Sequence, residues 1–202
     1  MQTLKRQWIM PANSRSHEAF EDAVYQAFPI LPVPSFIWPQ RYSFHSDVKK
    51  LLDGMAWPNI IGWRLLGGQR DDSLSGWMRF LSPEIMQYYL PSHLIFSSIL
   101  MSAGATNYEQ QIAEALVLPP SSDIAVLDEI NRELLSDAPV TEYGKDRVEL
   151  YKLLNEEQRR CVAKFLLLYL GYHGSDFTER GIQLFQQNCD FWKDSSLPEV
   201  AL

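Results

Sequence analysis

The chain is poor in the residues and patterns that announce a known chemistry. It has two cysteines, Cys161 and Cys189. Both fall in segments with helical apolar spacing, where a small apolar side chain suits a buried face, so a disulfide framework is not expected. The longest apolar stretches, 94–101 and 165–170, fall short of the roughly 20 residues needed to cross a bilayer. The apolar residues after Lys5 and Arg6 are interrupted by Pro11, Asn13 and Arg15, too early for a signal peptide. These absences predict a reducing, cytoplasmic setting without membrane contact.

Catalytic motifs are missing as well. No Gly-x-Ser-x-Gly elbow is present, and Ser75-Gly76 reads as a turn fragment. Gly67-Gly68 lacks the third glycine and the Lys-Ser/Thr ending of a phosphate cradle. His17, His45, His93 and His173 are far apart, and none belongs to a His-Glu-x-x-His pair. No metal or cofactor is assigned on this basis. Were the chain an enzyme, its site would have to assemble from scattered residues, and His45, Asp71, Asp72 and His93 are the candidates for such a polar site. Glu156-Glu157 sits in the first turn of a predicted helix, where the helix dipole accounts for both carboxylates.

What the chain does have is a globular composition, with 46% hydrophobic and 21% charged residues. Its six Trp, nine Tyr and ten Phe supply large apolar surfaces for a core or an interface. Length favours a single domain, 1–202, with 193–202 as a frayed tail. The formal net charge is −7, and residues 121–149 hold eight carboxylates against three basic residues. Such an acidic stretch repels nucleic-acid phosphates and attracts a basic partner. Asp123, Asp128, Glu129, Glu133, Asp137 and Glu142 are therefore the candidate partner-binding residues; the competing reading is a solvated helix face that keeps the protein soluble.

The periodicity predicts a mainly α fold: an irregular helical bundle with a Pro-rich apolar strap packed across it. Ala19, Phe20, Ala23, Val24 and Ala27 define a helix from about 16 to 27, stopped by Pro29. Prolines then force residues 29–39 into extended or polyproline geometry. The side chains of Ile30, Leu31, Val33, Phe36, Ile37 and Trp38 predict a strap that packs on helices; recognition as an SH3-type ligand is the lesser alternative. A short helix over 47–53, ended by Gly54, is followed by an ambiguous stretch over 60–66.

Ser82-Pro83-Glu84 is a helix start, and Pro91 predicts a kink or break at Leu90, with a second segment reaching about 102. Of Tyr88 and Tyr89, about 100° apart on a helix, one is expected in the core and the other at the break or facing a partner. Helices are further predicted over 107–116, 123–135, from Asn155 to Gly171 or Gly174, and over 176–192. Asn155-Glu156-Glu157-Gln158 reads as a capping box, and Phe177, Leu184, Phe185, Cys189 and Trp192 form the inward face of the last helix.

Phe80-Leu81-Ser82-Pro83-Glu84 followed by Tyr88-Tyr89-Leu90-Pro91 resembles the Leu-Thr-Pro-Glu…Tyr-Tyr-Leu-Pro segment of an uncharacterised bacterial family, a domain of unknown function. Leu154-Asn155-Glu156-Glu157-Gln158-Arg159, with Val162, Phe165 and Leu166, is similar to that family's closing helix, usually begun by Leu-Thr-Pro-Glu-Gln. The resemblance covers about 57–172, with Ser82 in place of Thr and Asn155-Glu156 in place of Thr-Pro. It implies a shared fold and names no catalytic residue. The function expected from the whole reading is a bacterial immunity protein or antitoxin that binds a basic toxin domain. The alternatives are an enzyme with the scattered polar site and a structural or regulatory subunit docked through the strap.

Overall fold

The computed structural model describes residues 14–36, 45–61, 81–103, 107–117 and 149–193, and among these every regular element is helical. In chain order they are α1 (Ser14–Ala27), α2 (His45–Leu52), a 3-10 turn (Trp57–Ile60), α3 (Pro83–Ala103), α4 (Asn107–Leu116), α5 (Glu156–His173), a second 3-10 turn (Gly174–Asp176) and α6 (Glu179–Lys193). Residues 149–153 are also helical. The predicted helix over 123–135, the loop from Gly67 and the C-terminal tail beyond Lys193 lie outside the described residues. No described helix is long and apolar enough to cross a membrane.

Two helices carry the packing. α3 touches α1, α4, α5 and the first 3-10 turn, while α5 touches α1, α3, α4 and α6. The buried side chains form one continuous cluster, whose largest members include Trp57, Tyr89, Tyr151, Phe165, Phe185 and Trp192. α1 contributes Phe20, Val24 and Ala27 to it, with Ala23 partly buried, while Ala19, expected on the same face, is exposed. Phe28 N–H still donates to the Val24 carbonyl at 2.9 Å, and Pro29, having no N–H, ends the helix there.

α2 starts at His45, two residues before the expected position, and its C-terminal side is closed by Gly54 with φ +73°. That left-handed conformation is the one in which a side chain would be strained. A 3-10 turn over Trp57–Ile60 follows, with Trp57 and Ile60 buried and Pro58 in its first turn, and of the ambiguous stretch over 60–66 only 60 and 61 are described.

α3 departs most from the sequence expectation. It runs unbroken through Pro91, so the two segments predicted on either side of Leu90 are one helix. Proline removes a backbone hydrogen bond and costs about 3 kcal/mol inside a helix. However, every residue from Leu90 to Ser98 is buried, and full burial of Leu90, Leu94, Ile95 and Phe96 contributes about 1.5–3 kcal/mol each. Tertiary burial therefore outweighs the local break. A helix enclosed on all sides also explains why its apolar residues do not keep to one stripe.

α5 begins as expected: Asn155 Oδ1 accepts from Gln158 N–H at 2.9 Å, and Asn155 N–H donates to Gln158 Oε1 at 3.0 Å. α6 begins later than expected. Residues 174–176 form the 3-10 turn, and the helix is capped by Thr178, whose Oγ1 accepts from Gly181 N–H at 3.0 Å. Phe185, Cys189 and Trp192 are buried, Phe177 packs against them in part, and the Leu184 side chain lies outside what is described. Trp192 Nε1 donates to the Leu116 carbonyl at 2.8 Å, tying α6 to the end of α4.

Side chains of α3 also hold neighbouring helix ends and connections. Tyr89 Oη donates to the carbonyls of Leu52 (2.5 Å) and Met55 (3.2 Å), Ser92 Oγ to Trp57 (2.5 Å), and Gln87 Nε2 to Leu153 (2.8 Å). Burial holds the Tyr89 phenol well above its usual pKa, so it donates throughout the accessible pH range. Losing a donor to a buried carbonyl costs about 1–3 kcal/mol. Tyr89→Phe should therefore destabilise the fold by about 1–3 kcal/mol in urea unfolding. Ser102→Ala removes only an exposed bond to the Ile99 carbonyl and should stay within about 0.5 kcal/mol of the parent.

Candidate functional site

Of the proposed polar site, the structure describes one member fully. His93 lies in the middle of α3 at 1% exposure. His45 opens α2 with its side chain outside what is described, and Asp71 and Asp72 lie outside the described residues, as do Asp123, Asp128, Glu129, Glu133, Asp137 and Glu142.

Around His93 the helices assemble a buried polar seam that sequence spacing did not indicate. His93 Nδ1 stands 2.7 Å from Tyr108 Oη on α4, with the two rings nearly parallel. The next residue, Glu109, is fully buried, and its carboxylate lies 3.9 Å from His173 Nε2 near the end of α5. That distance makes His173 an electrostatic neighbour beyond hydrogen-bond reach. Its Nδ1 lies 3.6 Å from the Asp176 carboxylate, and Tyr169 packs against its ring. His17 Nε2 meets Tyr172 Oη at 3.0 Å, joining α1 to α5.

Burial governs the electrostatics of the His93–Tyr108 pair. It pushes the His93 pKa down to about 3 and that of Tyr108 well above the usual phenol value, so the pair is neutral at ordinary pH. The Nε2 of His93 and the Oγ of Ser97, one helical turn later, make no hydrogen bond among the described residues. A serine nucleophile would need its hydroxyl bonded to the imidazole, and these two are not bonded to each other. Both are buried away from solvent. Cys161 and Cys189 are buried free thiols, the latter pushed up to about 12 by burial, which keeps it in the unreactive protonated form. Among the described residues no group of three or more His, Cys, Asp or Glu could hold a metal ion.

The surface offers a second candidate. Residues 29–36 follow α1 as the proline strap, and Tyr88 Oη donates to the Leu31 carbonyl at 3.0 Å. Phe36 packs edge-on to Tyr88, with ring centroids 5.6 Å apart, and lies 5.8 Å from the Tyr89 ring. The strap does cross α3, and the tyrosine pair divides its tasks as expected, Tyr89 in the core and Tyr88 at the surface.

The side-chain assignment needs correction, however: Ile30 and Leu31 are 60% and 57% exposed instead of packed inward. The strap meets α3 through the Leu31 carbonyl and the Phe36 ring, which leaves the Ile30 and Leu31 side chains facing solvent. Ile37 and Trp38 lie outside the described residues.

Comparison with protein-family models, curated proteins and solved structures gives no match. Ser82-Pro83-Glu84 opens α3 and Asn155 opens α5.

The seam makes stability depend on pH in a defined direction. The folded-state pKa of His93, about 3, lies below the ordinary value of 6.5. Its contribution is complete above about pH 6.5 and is lost as pH falls from there toward 3. Between pH 7 and pH 5 the parent should lose about 2 kcal/mol more than His93→Gln, measured as the difference in urea unfolding free energy.

Proposed function

We propose that this chain is a protein-binding domain, and that the observation supporting this most directly is the outward-facing apolar strap held to α3. Exposed aliphatic side chains next to each other on a surface mark interaction sites when they form a patch. Here the prolines also reduce the ordering cost of binding, because the ligand conformation exists beforehand.

The specific role is that of a bacterial immunity protein or antitoxin that occupies the active surface of a basic toxin domain. Its net charge of −7 and the acidic residues from Asp123 to Glu142 would steer a basic partner into contact, and aromatic or aliphatic anchors would hold it. A stable contact of this type covers about 800 Å² on each partner. A second reading, a subunit of a larger assembly, is favoured by the same exposed strap and differs only in the partner.

Purification of the full chain from its native host tests the binding reading. The expected result is stoichiometric recovery with a basic protein, with association slowing as salt is raised. Recovery of the chain alone at near-native concentration contradicts it.

A further inference from the structure

We infer that α3 and α4 enclose a binding site for a single water molecule, held between His93 Nε2 and Ser97 Oγ.

Both atoms belong to side chains shut off from solvent, His93 at 1% exposure and Ser97 at 0%. Neither atom has a hydrogen-bond partner among the described residues. An enclosed polar atom left unpaired lowers the folding equilibrium constant about ten- to a hundredfold, so two of them on one helix are better satisfied together. The two residues stand four apart in sequence, which puts them on one face of α3 with Cβ atoms about 5–6 Å from each other. That face meets α4. His93 Nδ1 lies 2.7 Å from Tyr108 Oη, and Phe96 packs edge-on to the Tyr108 ring with centroids 5.1 Å apart.

Among the serines of α3, Ser97 is the exception. Ser92 Oγ donates to the Trp57 carbonyl, Ser98 Oγ to that of Ile95 at 2.8 Å, and Ser102 Oγ to that of Ile99 at 2.6 Å. A serine inside a helix ordinarily turns its hydroxyl back on a carbonyl of the preceding turn. Ser98 does so and Ser97 beside it does not. The Ser97 hydroxyl is thus left for a partner other than its own helix backbone, on the face that carries His93.

One water meets the needs of both atoms. With hydrogen bonds of about 2.7–3.2 Å on either side, it joins atoms up to about 6 Å apart, beyond the reach of a direct bond. Water both donates and accepts, so it serves either neutral tautomer of His93, and the Ser97 hydroxyl is equally adaptable. Enclosed waters make about three bonds, and the second lone pair of a neighbouring α3 carbonyl can take the third. A metal ion needs more ligands than this pair supplies, and no group of three or more His, Cys, Asp or Glu among the described residues could hold one. With the water in place the His93 ring is bonded at both nitrogens, once to α4 and once to its own helix, which fixes the ring and the meeting of the two helices.

Ser97→Ala in the full chain, followed by urea unfolding, tests the inference through the sign of its effect. Removing one anchor of a bridging water is expected to lower the folding equilibrium constant about tenfold. A hydroxyl without a partner gives the opposite result, since its removal ends a burial penalty. A variant as stable as the parent, or more stable, therefore overturns the inference. A high-resolution crystal structure of the parent reads the site directly. The expected result is a solvent peak within about 2.7–3.2 Å of both His93 Nε2 and Ser97 Oγ. No peak there, a direct Nε2–Oγ bond, or a Ser97 hydroxyl bonded to a carbonyl of its own helix overturns it.

Discussion

The structure depends on α3 serving as a hydrogen-bonding post as well as an apolar core helix. Its side chains donate to carbonyls of the strap (Leu31), the end of α2 (Leu52 and Met55), the first 3-10 turn (Trp57) and the segment before α5 (Leu153). A carbonyl at a helix end or in a connection must be satisfied when it is buried or costs about 1–3 kcal/mol; the bonds to Leu52 and Trp57 are buried ones, while those to Leu31 and Leu153 lie at the surface. Tyr, Ser and Gln side chains on one helix let several such connections lie against the core at once. The same helix is buried almost all round from Leu90 to Ser98, which is why it tolerates an interior proline.

α5 plays the complementary part. Its first turn is fixed locally by the Asn155–Gln158 capping box, and Arg159 then reaches back to the carbonyls of Tyr151 and Leu154 while stacking on the Tyr151 ring. Phe165, Leu166, Tyr169 and Leu170 carry the apolar face against its neighbours. The buried polar seam runs between these two central helices and α4, and burial holds its His93–Tyr108 pair neutral. An interior of this kind specifies which helix faces meet, since His93 has its partner only when Tyr108 of α4 is opposite.

Local signals made most helices legible. Alternating three and four spacing located the α1 and α6 faces, and the cap at Asn155 was readable because it is a short-range hydrogen-bond pattern. α6 starts later than predicted because residues 174–176 form a 3-10 turn and Thr178 Oγ1 caps the helix by accepting from Gly181 N–H. α3 was split in the sequence reading because Pro91 is a local signal, whereas the burial that overrides it is tertiary.

The strap's course was legible from its prolines, but which of its edges faces α3 depends on Tyr88 and Phe36. Of the candidate site, His93 was legible only as a residue of interest. Glu109 stands in the first turn of α4, where the helix dipole alone accounts for a carboxylate, and nothing in its spacing reveals that the fold encloses it beside His173.

Native-state hydrogen exchange on the full chain tests the claim that α3 is the post on which the remainder is hung. Amides of residues 92–98 should exchange only through global unfolding, with an opening free energy equal to that from urea denaturation and above that of α6. Opening of α3 at a lower free energy than α6 would contradict the account, because the connections could then hold their places without it.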